Sequence, residues 1–100
     1  MARQPLAEKM DLDDVTEFLA RRRQLAHLRV RQRGSLLTLE SGPTDDPIRH
    51  ARFRRLSVHN WTLECATHPG RWQPTGERDT LDDLLQLLVT RYPWVLEPVV

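Results

Sequence analysis

Apolar residues recur at helical spacing at both ends of the chain and alternate with polar ones in between. At the front, Leu12, Val15, Leu19 and Ala26 fall on one helical face, with Phe18 and Leu25 beside them. Asp11 sits where an N-cap belongs, and Asp14, three residues on, where a capping-box carboxylate belongs. Asp13 and Glu17 add negative charge near the positive end of the dipole, and Arg21-Arg22-Arg23 fall late, near its negative end. The pattern predicts a helix from Asp11 that stops between residues 23 and 27. Residues 1–10, mixed in character and containing Pro5, are expected to form a flexible arm.

From His27 the period changes to two. His27-Leu28-Arg29-Val30-Arg31-Gln32-Arg33 alternates apolar with basic over its first half, as a half-buried strand does. Gly34 supplies a turn, and Ser35 to Ser41 is its hairpin partner. Gly42 to Pro47 is a loop on its turn-forming residues. A third strand is expected over Arg52–His59, with irregular phase between Phe53 and Leu56 marking a bulge, and a fourth over Trp61–Thr67. His68-Pro69-Gly70-Arg71 fits a type II turn leading to a short fifth strand around Arg71-Trp72-Gln73, which Pro74 and Gly76 would end.

The last element has the clearest signal. Thr80 and Asp83 form a capping pair, and Leu81, Leu84, Leu85, Leu88 and Tyr92 follow the i, i+3, i+4, i+7 rule. Pro93 stops this helix and leaves Trp94-Val95-Leu96 as an apolar tail expected to dock back on the body. The fold expected is α+β: an N-terminal helix, a four- to five-stranded antiparallel meander, and a C-terminal helix packed on one sheet face. Residues 11–100 are expected to form a single domain, since 100 residues suit one modest core.

Charge sharpens this picture. Ten of the fifteen basic residues lie between Arg21 and Arg55 against three acids (Glu40, Asp45, Asp46), a local charge of +7 in a chain of net charge +1. The flanking segments, 1–20 and 56–100, each carry −3. Fourteen of the fifteen are arginine, a skew that a GC-rich genome also produces, so the cluster is not by itself a sign of a phosphate ligand. Leu28 and Val30 need the core, so Arg29, Arg31 and Arg33 face away from it, and Arg52 and Arg54 share a side of the third strand. These five arginines are the candidate nucleic-acid face, with Trp61 or Trp72 to stack a base. The competing expectation is that Glu40 and Glu64 pair across strands with them.

Other chemistry has little support. Cys65 and His68 have C-x-x-H spacing with His59 nearby, but a structural zinc site needs a second pair, so no metal is expected. Cys65 alternates with Trp61 and Leu63, which predicts a buried, inert thiol, and a lone cysteine suits a reducing compartment. The carboxylate pairs Asp13-Asp14 and Asp82-Asp83 are explained by helix starts, and Asp45-Asp46 by its loop. No glycine-rich phosphate loop occurs, so neither a catalytic site, a cofactor nor a small-molecule substrate is expected. No apolar run reaches the length of a membrane span or a signal peptide, which points to a cytoplasmic protein with no membrane partner. The function expected is a non-enzymatic binding protein, first a protein-interaction module that self-associates or plays an accessory, antitoxin-like or immunity-like role. Trp72, Tyr92 and Trp94 are its candidate interface. The alternative is an RNA- or DNA-binding domain using the arginine face.

Overall fold

The computed structural model describes residues 5–68 and 70–98. Its elements run α1 (Lys9–Ala20), β1 (Arg29–Arg33), β2 (Leu36–Ser41), β3 (Ile48–Ser57), β4 (Asn60–His68), β5 (Arg71–Asp79) and α2 (Leu81–Arg91). Short 3-10 turns at Arg23–Leu25 and Pro93–Leu96 follow the two helices. The five strands pair antiparallel in chain order, β1-β2-β3-β4-β5, so the expected meander has all five strands.

Both helices lie on one face of the sheet. Val15 and Leu19 of α1 and Leu81, Leu84, Leu85 and Leu88 of α2 share a core with Leu37, Leu39, Ala51, Phe53, Trp61, Leu63 and Cys65 of the strands. Leu25, Leu28 and Leu96 from the connecting turns close its edges. Apart from side chains such as Val30, His50 and Arg55, the period-two alternation sends the others of β1–β4 to the opposite face, which no helix covers among the described residues.

Several boundaries differ from those expected, each for a physical reason. α1 starts at Lys9, because Glu8 and not Asp11 is the N-cap. The Glu8 side chain bonds the N3 backbone, and Asp11, at N3, accepts from the Glu8 N–H at 2.8 Å. The capping box is therefore shifted three residues upstream of the predicted one. The arm expected over residues 1–10 is docked from Ala7 onward: Ala7 is buried and its N–H donates to the Gly34 carbonyl at 2.9 Å. The Gln32 side chain also donates to the Ala7 carbonyl. α1 ends at Ala20, short of the expected limit, so Arg21-Arg22-Arg23 lie beyond it; the Arg22 guanidinium sits 3.6 Å from the Phe18 ring centroid, and Ala26 is exposed.

β3 begins at Ile48, four residues early, and carries the expected bulge, between Arg55 and Ser57. β5 runs through Pro74 and Gly76 instead of ending at them. Among the described residues its outer edge pairs with no strand, so Pro74 loses no ladder partner there. Gly76, at φ +82°, takes the left-handed geometry that goes with the irregularity between Thr62 and Glu64. Thr75 patches the ladder at that point, its hydroxyl donating to the Leu63 carbonyl and accepting from the Glu77 N–H. The expected type II turn includes Pro69, outside the described residues; Gly70 has the φ of +78° that its third position requires. α2 is capped as expected, Thr80 Oγ1 accepting from the Asp83 N–H at 3.3 Å.

Candidate interaction surface

The helix-free face is built of register rows that cross the strands. One row reads Arg29–Glu40–Arg49, the next Arg31–Thr38–Arg52–Glu64–Pro74, and the third Arg33–Leu36–Arg54–Thr62–Arg78. The structure thus brings all five predicted face arginines to one side of the sheet. It adds Arg49 and Arg78, which lie outside the strand bounds that the sequence pattern predicts.

Glu40 and Glu64 lie on this same face and not off it. Glu40 is 1% exposed, and its Oε1 accepts from Arg29 Nε at 3.2 Å and Arg31 Nε at 3.1 Å. Arg29 also donates to the carbonyls of Gly42 and Pro43, which pins the β2–β3 loop to β1. Glu64 receives Arg52 bidentately, at 3.1 Å for both bonds, and Arg54 at 3.5 Å. Such forked pairs are directional and stronger than point-charge contacts. The cross-strand pairing weighed from sequence is therefore present. It is partial: the rows carry seven arginines on β1, β3 and β5 (29, 31, 33, 49, 52, 54 and 78) against two glutamates, an excess of +5. Among the described residues Arg33, Arg49, Arg71 and Arg78 form no ion pair.

The aromatics nominated for base stacking are otherwise engaged. Trp61 is buried in the core. Trp72 is half-buried, and the Arg52 guanidinium lies over its ring at 4.3 Å from the centroid. Trp72 belongs to the open face, whereas Tyr92 and Trp94 sit on the C-terminal turn on the helix side, with ring centroids 5.7 Å apart edge to face. The three residues of the expected protein interface do not form one patch. Trp94 is 63% exposed at the rim of a groove of about 640 Å³ bordered by Ile48, Thr67, Gln73 and Thr75.

Two histidines that no pattern along the chain singles out hold that C-terminal turn. His50 is buried; Nδ1 donates to the Val95 carbonyl at 2.8 Å, so Nε2 accepts from the Ser41 hydroxyl at 2.8 Å. His27 donates from Nε2 to the Leu96 carbonyl at 2.6 Å, with its ring edge-on to His50 at 6.0 Å. Burial pushes the His50 pKa down, the Val95 bond opposes the shift, and the neighbouring His27 adds to it. Arg55, whose side chain points into the helix side of the sheet, is buried with its charge satisfied by the Leu6, Ser57 and Val58 carbonyls and Asp11. A signal for Arg55 was present: it breaks the alternation that places Arg52 and Arg54 outside.

The remaining candidates do not converge. Burial raises the Cys65 thiol pKa, which disfavours its thiolate. His59 is exposed at the β3–β4 turn. Among the described residues no group of three or more histidine, cysteine or carboxylate side chains is arranged to hold a metal ion, and no helix is long and apolar enough to cross a membrane. Comparison with protein-family models, curated proteins and solved structures found no match for this chain.

Proposed function

We propose that this protein is a non-enzymatic, cytoplasmic interaction module whose helix-free sheet face docks an acidic protein surface. The observation that carries the reading is the arginine excess of this face, held in place by two glutamates embedded in it. The two glutamates neutralise only part of this charge, and the guanidinium fork of an uncommitted arginine matches a carboxylate bidentately. The chain's own helical layer, with Asp13, Asp14, Glu17, Asp82 and Asp83, is a surface of the complementary sign. Self-association is thus one form the module's role takes, alongside docking on an accessory partner.

Nucleic-acid binding is the second reading, favoured by the same arginine excess. One observation weighs against it: neither Trp61 nor Trp72 presents a free ring to a base. Light scattering at low and high salt, with polyglutamate or a mixed single- and double-stranded oligonucleotide pool, separates the two. A salt-sensitive mass shift with polyglutamate that exceeds the shift with oligonucleotide supports protein docking. The reverse order, with a steep salt slope, replaces it with the nucleic-acid reading.

A further inference from the structure

We propose that the docking element of this face is its third register row, Arg33–Leu36–Arg54–Thr62–Arg78, and that it takes an acidic peptide segment with carboxylates about 10 Å apart. This rests on the reading just given and names the part of the face that recognises the partner and the spacing it recognises.

The three rows differ in how their charge is committed. Glu40 sits in the first row and Glu64 in the second, where they engage Arg29, Arg31 and Arg52. Those arginines stabilise the sheet: Arg29 and Arg52 commit two or more donors each, and Arg31 commits its Nε to a buried carboxylate. The third row contains no acid. Arg33 and Arg78 are exposed and make no ion pair among the described residues, and Arg54 reaches Glu64 only through one 3.5 Å contact. Leu36, half-buried between Arg33 and Arg54, gives the row an apolar centre.

Spacing follows from the topology. Arg33, Arg54 and Arg78 stand on β1, β3 and β5, every second strand, and strands lie about 4.8 Å apart, so neighbouring arginines start about 10 Å apart. Residues seven apart on one side of an α-helix are separated by about 10.5 Å. Same-side residues of an extended segment recur about every 6.6 Å and fall out of step with the row. A helix with a carboxylate every seventh residue and an apolar residue beside it therefore matches the row, whereas an extended acidic segment does not.

The test uses two fluorescently labelled 21-residue alanine-rich peptides with three glutamates each, at heptad spacing in one and on different sides of the helix in the other. Oligo-dT is the third probe, and binding is read by anisotropy at low and high salt. The heptad peptide is expected to bind more tightly than its scrambled counterpart. Arg33→Gln, Arg54→Gln and Arg78→Gln are each expected to weaken it about threefold to tenfold, as loss of a charge-assisted contact does. Arg31→Gln, whose guanidinium is engaged by Glu40, is expected to change it less than twofold. Thermal melts of every variant show whether a loss reflects unfolding. Equal affinity for the two peptides, or an Arg31 effect as large as that of Arg33, overturns the inference while leaving face docking intact. Tighter binding of oligo-dT, or no peptide binding at all, overturns both.

Discussion

Burying a guanidinium as deeply as Arg55 is costly unless its donors are matched, and here they meet three carbonyls and a carboxylate. Those acceptors come from two places far apart in sequence: the segment that enters α1 (Leu6, Asp11) and the β3–β4 turn (Ser57, Val58). Arg55→Ala leaves the carbonyls and Asp11 without their partner, and we expect a stability loss of about 2–4 kcal/mol by urea unfolding. Lysine at this position recovers less than half of that, because a single ammonium cannot reproduce the fork. A loss under about 1 kcal/mol would mean that water takes over these acceptors at little cost.

The C-terminal turn is held by a different kind of contact, and this one is sensitive to pH. In the folded protein burial disfavours protonated His50, whereas in the unfolded chain the same residue takes up a proton near its ordinary value, about 6.5. The unfolded state therefore binds more protons as pH falls, so this contribution is complete above about 6.5 and declines below it, levelling off under the folded pKa. Unfolding free energy measured from pH 8 to pH 5 should fall on the acid side, and His50→Gln should flatten that change. Equal slopes for the two proteins would place the acid sensitivity elsewhere. At this scale the element order and types were legible, because Leu84, Leu85 and Leu88 or Leu28 and Val30 declare their period in any context. What was not legible depended on tertiary partners. Glu8 is an unremarkable residue until Asp11 turns back to it. Pro74 and Gly76 read as breakers because an edge strand, where neither disrupts a second ladder, is not visible in a linear pattern. Five arginines of the face were legible from alternation, but Arg49 and Arg78 were not, nor was the division, since which arginines Glu40 and Glu64 claim depends on register.

Over the whole molecule, the sequence segments of opposite sign become layers of opposite sign: acidic helices over a basic open sheet face. Near-neutral net charge therefore conceals a polarised surface. Glu64→Gln should raise the excess on the open face from five to six positive charges and tighten polyglutamate binding at low salt, by about twofold to fivefold. The same variant should melt at lower temperature, since Arg52 loses its bidentate partner. Tightening that persists at high salt would point to a contact other than this charge, because a Debye length of about 3 Å at 1 M salt suppresses exposed-charge attraction.

The strictly sequential strand order has a kinetic consequence. Each strand finds its partner a few residues away, so the sheet can grow hairpin by hairpin with little loop-closure entropy at any step. The late and costly closures are those that join the ends of the chain to the middle: Arg55 to the α1 entry, and His27 and His50 to the final turn. Substitutions that weaken the β3–β4 ladder itself should therefore slow folding, whereas Arg55→Ala and His50→Gln, which break contacts from that hairpin to the chain ends, should chiefly speed unfolding.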